Sequence, residues 1–173
     1  ERKKKEIEIE KSKLAALERK MPELKAITNS SEKKPKVFFF DGVTGIEQVN
    51  KDTLRYKGEV VGFTTPRYLS FDNGIAHKHY VADRVERKNK GRVIGEVSSE
   101  VAKLKSKDGE EMRETRMLPK DVFSSEIEIV IYGDRVAVVD YKETFGLIIE
   151  GKEIAKTLKM VFELVWSSGR IIR

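Results

Sequence analysis

Residues 125–141 read SEIEIVIYGDRVAVVDY, and this stretch limits the possible folds more than any other in the chain. Two runs of alternating character, Glu126–Tyr132 and Arg135–Tyr141, flank the dipeptide Gly133-Asp134. A period of two sends successive side chains to opposite faces of a strand. A glycine-containing dipeptide between two such runs signals a hairpin, since tight hairpin turns need backbone angles that glycine adopts without steric cost. The second half of the chain must therefore carry antiparallel sheet. Glu114–Pro119 (ETRMLP) reads as a short strand before the hairpin, and Phe145–Gly151 (FGLIIEG) as another after it. Lys152–Trp166 then changes period. Ile154, Leu158, Val161, Phe162 and Val165 recur at helical spacing, and that face is expected to cover the sheet.

The first half alternates differently. Val37–Phe40 reads as a strand, Ile46–Leu54 as a helix, Glu59–Thr65 as a second strand, and residues 73–91 as a second helix. That helix is expected to bury Ile75, His79, Ala82 and Val85 and to stop before Gly91. Arg92–Val97 is a third strand, and residues 98–107 form a short helix capped by Ser98 or Ser99. Strands alternating with helices imply βαβ units and a largely parallel arrangement. The expected class is α/β: one mixed sheet with a βαβ first half and an antiparallel second half.

Residues 1–21 hold neither Gly nor Pro, and Ile7, Leu14 and Met21 recur every seven positions. Leu17 and Leu24 take the companion row, which Glu10 interrupts. This narrow seam on an otherwise charged helix is that of a helix paired with its own copy. Residues 1–27 are therefore expected to be a long coiled-coil dimerisation helix, and residues 28–173 the globular body. Residues 1–20 contain eight Lys or Arg and five Glu, so they carry half of the net charge of +6. The other basic run, Arg84–Arg92, has no interleaved aromatic residue, unlike a single-strand nucleic-acid site. A solvated helix end accounts for it.

Several chemistries are excluded or unsupported. With no cysteine there is no disulfide, no thiolate metal site and no thiol nucleophile. No metal or cofactor is expected: His77 and His79 stand two apart, which on a helix points them to different faces. No apolar run approaches the roughly 20 residues of a membrane span, and a reducing, cytoplasmic setting is expected. The glycine turn after the first strand, DGVTGIEQ, lacks both the Gly-Lys-Ser/Thr of a phosphate loop and a G-x-G-x-x-G fingerprint. Thr44 and Glu47 there have the spacing of a helix capping box. Candidate ligand residues lie instead just past the second strand, at Thr64, Thr65, Arg67 and Tyr68, because ligands of open α/β sheets bind at carboxyl ends of strands.

Four segments, in order, resemble the effector domain of TrmB-like transcriptional regulators: MPEL, KPKVFFFDG, RMLPKDVFSSEIEIVIYGDRVAVVDY and FGLIIEGKEIAKTLKMVFELVW. The resemblance implies a phospholipase D-like body that senses a small molecule or pairs subunits. It also implies a dimerising linker helix and a DNA-binding winged helix placed before the first residue; the start at Glu1 rather than Met fits that expectation. The phospholipase D signature, H-x-K-x4-D, is replaced here by Glu126-Ile127-Glu128, with Gly133 where the aspartate should fall. A phosphodiester would meet repulsion and no nucleophile, so the chain is expected not to be an enzyme. Glu126 and Glu128 join the candidate site as groups able to hydrogen-bond sugar-like hydroxyls. The alternatives are a phosphodiesterase or nuclease of the phospholipase D type and a protein-interaction module without ligand.

Overall fold

The computed structural model describes residues 34–168. The expected coiled-coil helix, with Ile7, Leu14, Leu17, Met21 and Leu24, lies outside them. Seven strands form one sheet: β1 Lys36–Asp41, β2 Val60–Phe63, β3 Gly91–Glu96, β4 Arg113–Leu118, β5 Ile127–Tyr132, β6 Arg135–Asp140 and β7 Phe145–Glu150. Their order across the sheet is β1-β7-β6-β5-β2-β3-β4. β2, β3 and β4 pair in parallel, and every other pairing is antiparallel. The α/β class and the mixed sheet stand. The hairpin turns at Gly133, whose φ of 52° lies in the left-handed region, so an L side chain there would be strained.

One topological expectation needs correction. β1 is not joined to β2 in a βαβ unit, because the whole β5–β7 meander separates them and β1 pairs antiparallel with β7 at the sheet edge. Local alternation cannot record a partner at the far end of the chain, as when Lys36 faces Glu150.

Helices α1 (Gly42–Arg55), α2 (Pro66–Ser70), α3 (Ile75–Glu86), α4 (Ser99–Ser106) and α5 (Lys152–Trp166) surround the sheet. α1 and α2 cover one face through Ile46, Val49 and Tyr68, packed with Val60, Tyr132, Val139 and Tyr141. α5 covers the opposite face through Ala155, Phe162 and Trp166, against Val61, Ile94, Ile131 and Val136. Of the expected stripe, Ile154, Leu158, Phe162 and Val165 pack there, while Val161 is exposed, as are Met160 and Leu164.

Three local expectations fail for identifiable reasons. α1 begins at Gly42, earlier than the Thr44/Glu47 box allows; Asp41 caps it, its Oδ1 accepting from the Gly42 N–H at 3.1 Å. α3 ends at Glu86 rather than before Gly91. Lys88 takes the left-handed position (φ 57°) expected of a glycine, and Gly91 opens β3. The buried face of α3 is Val81 and Arg84, while Ile75, His79 and Ala82 are exposed. An arginine in a core position defeats any reading by hydrophobic period. Its guanidinium donates to the carbonyls of Asn89 (2.7 Å), Met112 (3.3 Å) and Glu111 (2.5 Å), tying the end of α3 to the segment before β4. At α4 the cap is settled as Ser98, whose Oγ accepts from the Val101 N–H at 3.2 Å.

Candidate functional site

The β2–β5 register builds the site. Val61 faces Ile131, Gly62 faces Val130 and Phe63 faces Ile129, so one step further Thr64 comes opposite Glu128. Both side chains share the α1–α2 face of the sheet, since they alternate in step with Gly62 and Val130. Thr64 Oγ1 donates to Glu128 Oε1 at 3.4 Å, and the Tyr141 hydroxyl donates to Glu128 Oε2. Glu128 is only 8% exposed. Burial pushes its carboxyl up to about 7, although the hydrogen bonds from Tyr141 and Thr64 favour the ionised form and oppose that rise. A carboxyl poised this way can donate or accept a hydrogen bond near neutrality.

The six candidate residues do not form one group. Thr64, Tyr68 and Glu128 are brought together in the interior. Tyr68 packs at 4.7 Å edge-on against His77 and at 5.6 Å against Tyr141. Thr65 is buried but serves the backbone: its Oγ1 accepts from the Arg67 N–H at 3.4 Å and caps α2. Arg67 and Glu126 form an ion pair with each other on the surface. Glu126 and Glu128 part company, because β5 begins at Ile127 and Glu126 lies outside the sheet, exposed, while Glu128 is buried within it.

The interior group borders a cavity of about 50 Å³ between the sheet and α1, α3 and α4. Thr64, Tyr68 and Glu128 line it together with Tyr80, Arg84 and Arg113, none of which stood out in the sequence. Apolar walls come from Val49, Val60, Val81 and Val139. The signal for Tyr80 and Arg84 was present only as a four-residue spacing within a charged helix. His77 is half-buried beside Tyr68, and its Nδ1 finds no hydrogen-bond partner among the described residues. Burial lowers its pKa to about 4, so the ring is neutral at physiological pH. His79, two positions on, is exposed, and the pair does not converge.

No protein-family model matches the chain, and no curated protein matches it. Among solved structures the fold is similar to that of TrmBL2, described as an archaeal chromatin protein with a novel mode of DNA binding. The TM-score is 0.55 at 17% identity, over 96% of this chain and 64% of that one. It is also similar to phosphatidylserine synthase of Haemophilus influenzae Rd KW20, with a TM-score of 0.52 at 12% identity, over 80% of this chain and 39% of that one. The chain therefore spans less than two thirds of either neighbour. At such identities the likeness establishes the fold. Among the described residues no helix is long and apolar enough to cross a membrane.

Proposed function

We propose that the chain is the ligand-sensing and dimerisation part of a TrmB-like, DNA-binding transcriptional regulator of the cytoplasm, with a phospholipase D-like body. The observation that carries the sensing role is the interior group Thr64, Tyr68, Glu128 and Tyr141 beside the cavity. A mostly apolar space with a few convergent polar groups and a titration-shifted carboxyl has the character of a small-molecule site. The likeness to TrmBL2 supports the regulator class at the level of fold, and the resemblance of the sequence motifs adds to it. A ligand preferring one arrangement of the dimer would shift the spacing of the DNA-binding heads.

The fold likeness to a synthase supports an enzyme less well. At the positions matching the phospholipase D signature stand Glu126, exposed and paired with Arg67, and Glu128, turned inward onto Tyr141. Neither offers a nucleophile to a phosphodiester. A thermal-shift screen of the full chain against neutral sugars, nucleotides and sugar phosphates tests the sensor. A specific ligand should raise the melting temperature, and the rise should keep growing with the logarithm of ligand concentration above Kd. No response from any class favours a ligand-free interaction module, and turnover of generic phosphodiesters that is lost in Glu128→Gln overturns the non-catalytic reading.

A further inference from the structure

The two edges of the sheet are built differently. β4, at one end, carries Arg113, Glu114 and Arg116 along its length. Charged side chains on an edge strand oppose pairing with another chain. β1, at the other end, reads KVFFFD, with charge only at its two tips. Val37, Phe38 and Phe39 between them are 62%, 41% and 64% exposed. Among the described residues no strand pairs with β1 on its outer side, and its register with β7 runs without a bulge. An apolar edge left in this state is a template for one more strand.

The backbone fixes which groups that edge offers. The Gly42 N–H donates to the Thr144 carbonyl at 2.9 Å, and Asp41, just before it, is extended (φ −110°, ψ 146°). Hydrogen-bonding direction alternates along a strand. Phe40, Phe38 and Lys36 therefore turn their N–H and C=O groups toward β7, and Val37 and Phe39 turn theirs outward. Side chains alternate as well. Val37 and Phe39 lie opposite Ile149 and Leu147, on the face that α5 covers further along the sheet. Phe38 lies opposite Ile148, on the α1 face. Stacking on Phe145, with ring centres 5.6 Å apart, holds the Phe39 ring in place.

These alternations select a partner strand of the same sequence. Consider a second β1 laid antiparallel, with Val37 opposite Phe39 of the second copy and Phe38 opposite Phe38 of the second copy. Like faces then stay together, and the outward groups of Val37 and Phe39 meet in hydrogen-bonded pairs. Every exposed apolar side chain of β1 is matched, as two Val–Phe pairs on one face and one Phe–Phe pair on the other. A slip of one residue would send opposed side chains to opposite faces. A register centred on Phe39 would set Val37 against Asp41, whose carboxylate already caps α1.

We propose that β1 pairs edge to edge with β1 of a second copy in this register, so that the two sheets continue as one. The proposal deepens the dimerisation reading above and rests on it. One strand pair is small against the ~1,200 Å² or more that specific interfaces bury, so it forms within a dimer that the seam of residues 1–27 already holds. Pro35 stands about 10 Å along the strand from the Phe38 pair. Residues 28–35 reach at most about 25 Å, long enough for both pairings in one dimer.

Because the chain has no cysteine, a single thiol can report the register in the full chain. Directly opposed residues of the kind formed by Phe38 have Cα atoms about 4.5 Å apart, within the range of a disulfide. Two copies of residue 39 would be offset by roughly 9 Å, outside it. Under oxidised glutathione, Phe38→Cys should form a disulfide-linked dimer at least ten times faster than Phe39→Cys or the exposed reference Lys156→Cys. Adding Phe39→Lys to Phe38→Cys should slow the link about tenfold while sedimentation still shows a dimer. If Phe38→Cys lowers the melting temperature, mixed Val37→Cys and Phe39→Cys chains should link to each other in preference to themselves. Phe38→Cys no faster than the reference, or Phe39→Cys equally fast, overturns the proposal. A sedimenting dimer that does not link at position 38, including one in which residues 1–33 cover the edge, defeats the edge pairing and leaves the seam. Linking at position 38 that persists in Leu14→Glu with Leu17→Glu defeats the seam and leaves the edge.

Discussion

Glu128 shows how far a single residue's meaning depends on its surroundings. In sequence it is one of two glutamates spaced for the same strand face; in the fold it is buried on Thr64 and Tyr141 while Glu126 meets Arg67 outside. Its raised pKa has a definite sign for stability. Between the ordinary value of 4.5 and about 7 the unfolded chain releases this proton first, so the group's contribution falls as pH rises through that window and is level above it. Glu128→Gln keeps the shape and cannot ionise. The variant should match the wild type at pH 4 and exceed it at pH 8 by on the order of 3 kcal/mol, read from urea midpoints at the two pH values. His77, lowered to about 4, contributes the opposite slope between about 4 and 6.5. That slope is common to both proteins, so the difference between them isolates Glu128. A gap that does not widen with pH would mean the carboxyl is not held neutral.

Among the elements, β2 is the one on which the site depends. It has only four residues, yet it joins the parallel and antiparallel halves by pairing with both β3 and β5. Gly62 lies within it, and a Cβ built there would stand 2.1 Å from the Ile129 carbonyl oxygen. No flexible side chain can yield at that point, since the obstacle is backbone. Gly62→Ala should destabilise the body by roughly 3 kcal/mol or more through the displaced β5, lowering the denaturation midpoint. A neutral outcome would show that β2 and β5 separate more easily than their register suggests. The strands themselves were legible within a residue or two, because β-branched and aromatic alternation is a local property. α3 was not, because its core position is taken by Arg84, whose burial is made tolerable by carbonyls from two segments beyond the helix.

At the scale of the molecule, the sheet is covered unequally. Four helices lie on one side, and α5 covers the other while leaving Met160, Val161 and Leu164 exposed; at the sheet edge Val37 and Phe39 of β1 are exposed as well. The proposed dimer is carried by the seam at Ile7, Leu14, Leu17, Met21 and Leu24. The full chain should sediment as a dimer at micromolar concentration, and the double change Leu14→Glu with Leu17→Glu should shift it to monomer without altering the melting of the body. A double variant that remains dimeric would move pairing away from this seam.

Local period, turn stereochemistry and composition were enough for the α/β class, the hairpin at Gly133-Asp134, the bounds of α5 and the exclusion of thiol chemistry. The pairing of β1 with β7, the inward turn of Glu128 but not Glu126, and the placing of Arg84 and Tyr80 at a cavity emerge only in the folded chain. Those outcomes depend on which distant segments supply hydrogen-bond partners and cover, and no window of neighbouring residues contains that information.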